Sequence, residues 1–371
     1  MSAEHGRAPR SADQPWSVIE VAPEIEPLAA EWDALADRAG ADPFARPGWV
    51  AAWMRSFAPP GRLGVVVLRG EGRLRAVVPL LRRGAVTRSP TNEHTPRFRL
   101  LGEDDAAVDE LARVVLRLRQ RRLSLVPVHV EDRTLAAIRS AAGAAGHRVI
   151  ERVALRSPFV PLAGVAEAGD VLDRRRRKDL RRCRRRLEEQ GDLVISVERG
   201  GPGLEEVLAG AFAVEERQWK GEDGTAITSS PRTHAFYLEV SRWAARAGTL
   251  RLLSMRLDGR MIAFELCLLD STGLYSLKAG FDPDHRRFSP GHLLALAAID
   301  EALAAGVATY ELLGDDEPYK MAWTERVREL LSVDVSPATP AGTAEHVRLR
   351  YLRPVRRRVA TAASSLRPAG R

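Results

Sequence analysis

The chain has 371 residues, 45% of them hydrophobic, with seven Trp and a formal net charge of +8. That is enough for one large or two ordinary domains with a real core, and it excludes wholesale disorder. No run approaches the roughly 20 uninterrupted apolar residues of a membrane helix. The two cysteines, Cys183 and Cys267, make neither a disulfide framework nor a Cys-rich zinc module.

Charge is concentrated rather than spread. Asp173–Gln190 holds ten Lys/Arg against four acids, and His346–Arg371 holds eight Arg and no acid. These two segments carry +6 and +8, which leaves −6 for the remainder of a chain whose total is +8. A mildly acidic globule with one basic helix and one basic tail is therefore expected, not a uniformly basic coat.

Met1–Pro15 is polar with no apolar centre, so it reads as a disordered N-terminus, no secretory signal is expected, and a reducing cytoplasm is the expected location. Helices are predicted at Pro27–Ala39 and Pro47–Phe57, with Trp32, Phe44, Trp49 and Trp53 as core aromatics. A hairpin follows, Leu63–Leu68 and Leu74–Leu81 around Gly70-Glu-Gly72. Then come a short strand Phe98–Leu101, a helix Ala106–Gln120, a strand Leu123–Val128, a helix Thr134–Ala145 and a strand Val149–Val153. The basic segment reads as a helix with a thin apolar stripe of Leu172, Leu180, Cys183 and Leu187.

In the second half, Asp192–Glu198 is a strand and Leu204–Lys220 a helix, followed by a polar loop, Gly221–Pro231. A second helix, Thr233–Ala247, ends at Gly248. Leu250–Leu257 and Arg260–Leu269 join through Asp258-Gly259, a type I′ turn signal. Leu274–Gly280 is the third strand. Ser289-Pro-Gly291 starts a helix that runs to Gly306, because Ser caps well and Pro is favoured at the first helical position. Val307–Leu313 is a strand, Pro318 to about Leu330 a helix, and Leu331–Val335 a last strand.

The order β-α-α-β-β-β-loop-α-β-α-β makes Leu274–Gly280 and Val307–Leu313 parallel neighbours in a mixed sheet. It is similar to the GNAT acyltransferase fold, in which the acyl-CoA pyrophosphate lies at the start of the crossover helix. The physical reason is general: free backbone N–H groups and the positive dipole end of a helix attract an anion. The family loop Gln/Arg-x-x-Gly-x-Gly/Ala is met here by Arg286-Arg-Phe-Ser289-Pro-Gly291. Ser replaces the first Gly, and Pro removes one donor. The first half repeats the same theme without that loop, so the fold class is an α/β mixed sheet in a tandem GNAT-like arrangement.

Four segments carry a closer resemblance. They are Phe212-x-x-Glu215-x-x-x-Trp219-Lys-Gly221, Tyr275-x-x-Lys-x-Gly280-Phe-Asp282, Ser289-Pro-Gly291 and Tyr310-Glu-Leu-Leu-Gly314-x-x-x-Pro-Tyr-Lys320-x-x-Trp323. They resemble the CelD-like acetyltransferases of bacteria, tandem GNAT proteins linked to cellulose biosynthesis and distantly similar to the Fem aminoacyltransferases. The resemblance spans roughly Trp32–Val335. It implies acyl transfer from acetyl-CoA or another acyl-CoA to an amine or hydroxyl of a small-molecule, sugar, cell-envelope or exopolysaccharide precursor.

The expected divisions are residues 1–15, a degenerate lobe 16–165, the basic helix 166–190, the acyltransferase lobe 191–336 and the tail 337–371. Cofactor contacts are expected from Arg286, Arg287, Ser289, Gly291 and His292, the alternative being an ordinary loop and cap. A base near the acceptor proton would be a carboxylate, and Glu216 is the candidate. The alternative, preferred for neighbouring Glu215, is a solvated pair beside a core Trp219.

Strand alternation sends Tyr310 and Glu311 to opposite faces, so Glu311 is a cleft candidate if Tyr310 is core. Tyr319 would protonate the departing thiolate or serve as a capping aromatic. Lys320 would bind an acidic substrate or pair with Asp315, Asp316 or Glu317. Trp219, Lys220 and Lys278 complete the substrate candidates, while Glu265 is expected to face solvent.

For the basic helix Arg174–Arg186 and the tail, two accounts stand. One is a solvated interdomain helix; the other is a grip for a diphosphate carrier, an anionic membrane or tRNA. The second account supports a rival function, Fem-like aminoacyl transfer from charged tRNA, and the altered loop supports a third, a non-catalytic anion-binding adaptor. Eight scattered His give no ligand spacing, so no metal is expected. No Walker, Rossmann, nucleophile-elbow or His-Glu-x-x-His motif occurs.

Overall fold

The computed structural model describes residues 18–22, 24–58, 63–218, 227 and 230–352. The first half runs β1 (Val18–Ala22), α1 (Ala29–Arg38), α2 (Pro47–Phe57), β2 (Leu63–Gly70), β3 (Arg73–Arg83), β4 (Val86–Arg88), β5 (Leu101–Gly102), α3 (Asp105–Arg117), β6 (Arg122–His129), α4 (Arg133–Ala144) and β7 (Arg148–Pro161). The basic helix is α5 (Arg174–Glu188).

The second half runs β8 (Leu193–Glu198), α6 (Leu204–Gln218), α7 (Pro231–Arg246), β9 (Leu250–Leu257), β10 (Arg260–Asp270), β11 (Gly273–Phe281), α8 (Pro290–Ala304), β12 (Thr309–Glu311), α9 (Pro318–Met321), β13 (Val327–Ser336) and α10 (Pro340–Val347).

Local chemistry sets many of these boundaries. Asp104, Asp132 and Asp173 accept the backbone N–H of Ala107, Thr134 and Arg176, capping α3, α4 and α5. Asp258 and Gly259 take φ of 48° and 78°, as a type I′ turn between β9 and β10 demands.

The expected helix from Pro318 to Leu330 is corrected. Only Pro318–Met321 is helical, because Val327–Leu330 pair with residues 155–158 of β7. The same pairing lengthens β7 far beyond the expected Val149–Val153. The tail is helical through α10 and a following turn to Leu352; its later residues lie outside those described.

Among the described residues the strands form one sheet in the order β1-β2-β3-β4-β6-β13-β7-β12-β11-β10-β9-β8, with β5 against β3. Parallel pairs occur twice, β4 with β6 and β11 with β12, each after a crossover helix. The two halves also exchange strands. β13 from the second half inserts between β6 and β7, and β7 from the first inserts between β12 and β13.

Helices α1, α2, α6 and α7 cover one face of the sheet through one continuous core. The other face is covered by α3 and α4 in the first half and by α5 and α8 in the second. This is a tandem GNAT-like fold, and its sheet passes without a break from one half to the other.

Candidate active site

β11 and β12 are paired only at Leu274 with Tyr310 and Tyr275 with Glu311. Beyond that rung they part: β11 continues to Phe281, while the other chain turns through Leu313 and Gly314 at φ of 54° and 62°. The opening this leaves at the end of β11 lies beside the N-terminus of α8, where a Cβ on Gly291 would stand 3.6 Å from Phe281, and forms the candidate cleft.

One wall is fixed by Lys320. Its side chain is buried, donates from Nζ to the carbonyls of Leu313 at 2.8 Å and Asp315 at 3.3 Å, and pairs with Glu317 at 2.5 Å. Lys320 therefore holds the turn. Tyr319, beside it on α9, is exposed at 60%.

At the helix start, Ser289 adopts a left-handed conformation, φ 53° and ψ 47°. Its carbonyl accepts the N–H groups of His292 and Leu293 at 3.0 and 3.1 Å. Arg286 and Arg287 precede it, exposed, on a 3-10 turn spanning Pro283–Phe288. A Cβ on Gly291 would meet only Phe281, at 3.6 Å.

His292 is half-buried between Arg176, 3.4 Å away, and Trp323, with ring centroids 5.6 Å apart. Burial, with the Arg176 charge beside it, pushes its imidazole down to about 4, so the ring is neutral at pH 7. Arg176 lies 5.0 Å over Trp323, which ties α5 to this corner. The exposed face of α5, including Arg174, Arg175, Lys178, Arg181, Arg185 and Arg186, continues the cationic surface of Arg286 and Arg287.

The cleft floor holds a group that strand patterning assigned to solvent. Glu265 on β10 is 2% exposed. Its Oε1 accepts from Ser276 Oγ at 2.6 Å, Cys267 Sγ at 3.6 Å and the Tyr310 hydroxyl. Solvent exposure fails here because α8 covers this face too. Burial raises the Glu265 carboxyl above its ordinary range.

On the opposite face of β11, Lys278 donates to Glu215 at 3.2 Å and lies 5.5 Å over Tyr237. Glu215 is 1% exposed and also accepts the Ile227 N–H at 2.7 Å, so the solvated reading of Glu215 is corrected. Glu216, one position on, is exposed on the outer side of α6. Tyr237 Oη lies 3.3 Å from His94 Nδ1, and Thr233 Oγ1 lies 3.4 Å from Nε2. Burial holds the His94 imidazole below its ordinary value. Trp219 and Lys220 lie outside the described residues.

Glu311 does face away from Tyr310. It is 1% exposed, accepts from Arg328 Nε at 3.0 Å and pairs with Arg97. The structure thus brings together the α8 residues, Tyr319 and Lys320 around one cleft, with Lys278 on the other face. Glu216 stands apart from both. The partners that sequence reasoning missed, Arg97, His94, Glu265 and Arg328, come from distant segments or from strand positions that alternation placed outside. Among the described residues no group of three or more metal-ligating side chains occurs, and no helix is long and apolar enough to cross a membrane.

Residues 174–321 match the sequence profile of the acetyltransferase (GNAT) domain. A search of curated proteins gives no match. Solved structures share the fold at low identity. FemX aligns with a TM-score of 0.60 at 12% identity, over 82% of this chain and 95% of that one. A conserved protein of unknown function from Bacteroides thetaiotaomicron gives 0.56 at 11%, over 86% and 100%. The C-terminal domain of a protein assigned as a lysylphosphatidylglycerol synthetase from Agrobacterium fabrum gives 0.54 at 13%, over 88% and 97%.

Proposed function

We propose, from the premise of an acyltransferase whose GNAT domain covers residues 174–321, that the chain moves an acyl group from acyl-CoA to an amine or hydroxyl by direct attack. The observation that carries this reading is the early end of the β11–β12 pairing beside the N-terminus of a 15-residue helix, with Gly291 against Phe281 of β11. The Gly291 backbone N–H, the positive end of the helix dipole and the charges of Arg286 and Arg287 suit a pyrophosphate, while the Ser289 N–H is already taken by the Arg286 carbonyl at 3.0 Å. His292 is neutral and wedged against Trp323, so it shapes the corner rather than adding charge.

In this scheme the acceptor enters from the face that carries Lys278, Glu215, Tyr237 and His94. Its nucleophile attacks the thioester carbon and loses a proton as the C–N or C–O bond forms. The C–S bond then breaks, and the thiolate takes a proton from Tyr319 at the cleft mouth. Placement favours His94 over Glu216 as the proton acceptor, because His94 is neutral at pH 7 and sits on the acceptor face while Glu216 points outward. A glycan or cell-envelope precursor is the acceptor class that the CelD-like motifs support.

A second reading is favoured by one observation, the exposed Arg row of α5 running into Arg286 and Arg287. It is aminoacyl transfer from charged tRNA, with the row binding phosphates. Free-thiol release from acetyl-CoA across a panel of amine and hydroxyl acceptors separates the two. The acyl-CoA reading expects acceptor-dependent thiol release that ribonuclease treatment leaves unchanged. Transfer that needs charged tRNA, with no thiol release for any acceptor, would replace it.

A further inference from the structure

A cavity of about 320 Å³ lies where the two halves meet, on the sheet face covered by α1, α2, α6 and α7. That is the low end of the roughly 300–1,000 Å³ typical of ligand pockets. Its wall includes Tyr275 and Glu311, the last paired rung before β11 and β12 part, so it adjoins the closed end of the cleft from the opposite face. Arg97 and Arg99 from the loop before β5, His129 at the end of β6 and Arg328 at the start of β13 complete its polar lining.

A count of committed groups says what is missing. Three of the four acids in the lining are engaged, the exception being Glu131 at the exposed rim. Glu311 is held by Arg97 and Arg328, Asp132 caps α4 through Thr134 N–H at 2.8 Å, and Asp42 accepts Phe44 N–H at 3.1 Å. Not all the donors are. Arg97 Nε and His129 Nε2 are buried without a hydrogen-bond partner, whereas Arg99 Nε, which also makes no hydrogen bond, faces the Asp132 carboxylate as an ion pair at 3.3 Å. His129 Nδ1 accepts the Glu131 N–H at 3.1 Å, which leaves the ring proton of a neutral imidazole on Nε2, and burial favours that neutral form. Buried donors without acceptors are costly, so the wall is complementary to an oxyanion.

Charge decides which oxyanion. Three guanidiniums, Arg97, Arg99 and Arg328, face three buried or half-buried carboxylates, Asp42, Asp132 and Glu311, with Glu131 exposed at the rim. A wall so nearly balanced suits one negative charge better than two. We infer that this cavity takes the carboxylate group of the acceptor and holds its nucleophile against the end of the donor cleft. The inference rests on the acyl-transfer reading for the word acceptor, but not for the carboxylate site itself.

The test titrates the full chain with succinate, acetate, inorganic phosphate and methylammonium at constant ionic strength, followed by NMR. Arg99→Gln and His129→Asn serve as variants. His129→Asn removes the free imidazole donor while the Asn carboxamide still accepts the Glu131 N–H, and Arg99→Gln removes a guanidinium charge from the wall. Arg97 is left intact because its loss would strand the buried Glu311 carboxylate.

The expected result is saturable binding of both carboxylates, weaker binding of phosphate and none of methylammonium, with affinity reduced about tenfold in each variant. Carboxylate affinity should persist in saturating CoA, and CoA affinity by calorimetry should be the same in both variants. Absence of saturable carboxylate binding, a preference for phosphate, or binding that survives both substitutions would overturn the site. Mutual exclusion of carboxylate and CoA would overturn its role as the acceptor pocket. Failure of CoA to bind at all would instead strike the donor reading, while the carboxylate titration would still decide the cavity.

Discussion

Ser289 sits where the family loop has glycine, and its φ of 53° gives the reason for that glycine. A left-handed conformation costs a non-glycine residue roughly 1–2 kcal/mol, part of which is offset when glycine loses its greater freedom on folding. Ser289→Gly should therefore raise stability by up to about 1 kcal/mol in denaturant unfolding and leave CoA affinity unchanged. A loss of stability would mean that the Ser289 hydroxyl does something the structure gives no sign of.

Glu265 supports a pH prediction. Its folded pKa is raised, so the native state holds a proton that the unfolded state releases above its ordinary 4.5. Stability is thus lost as pH rises from that value through the folded pKa. Glu265→Gln keeps an acceptor oxygen for Ser276, Cys267 and Tyr310 and removes the ionisation. The variant should match or exceed the wild type in unfolding at pH 7 to 8, with the difference shrinking toward pH 4. A difference that grew toward low pH would show Glu265 charged in the native state. At this scale the sequence was least legible. Alternation gives the face on which Glu265 lies but not that α8 covers that face, and nothing local marks Arg97 as the partner of a carboxylate 214 residues away.

Among the elements, those with local signals were legible. The Asp258-Gly259 hairpin and the Asp173-capped basic helix follow from turn and capping chemistry carried by neighbouring residues, and the helix at Pro290 starts where expected although Ser289 makes no side-chain cap, which leaves proline at the first position as the local signal. β13 was half-missed because Val327–Leu330 has no strong local preference, and pairing with β7 decides its state. The turn before α9 depends on one side chain. Lys320 donates to two carbonyls, and Gly314 is the residue that admits it, since a Cβ there would stand 2.7 Å from Nζ. Lys320→Met leaves those carbonyls unpaired, so a loss of about 1–3 kcal/mol is expected in thermal unfolding, with faster amide exchange in residues 312–321. Unchanged exchange there would remove the wall-fixing role given to this lysine.

For the whole molecule, the tandem order was legible from element spacing, while the strand exchange was not, because pairing between remote strands leaves no periodic trace. Leu330, Leu331, Val333 and Val335 of β13 are buried, the last three in the core of the first half. A fragment of residues 18–165 would leave the edges of β6 and β7 unpaired and that core open. It should show no cooperative unfolding transition by circular dichroism, whereas the full chain unfolds in one. A cooperative transition for the fragment would mean that the exchange is incidental to stability.

The exchange matters for function because β7 and β13 join the halves directly beside β12 and its Tyr275–Glu311 rung, where the donor cleft and the carboxylate cavity meet. The proposed function stands on the start of α8 holding the pyrophosphate of acyl-CoA. Calorimetric titration of the wild type and Gly291→Asp with CoA and acetyl-CoA tests it most directly, because the substitution adds a carboxylate where a Cβ meets only Phe281 at 3.6 Å. Saturable binding by the wild type, lost in a variant whose thermal midpoint is unchanged, is the predicted result. Absence of binding at millimolar ligand, or equal binding by both proteins, would contradict it.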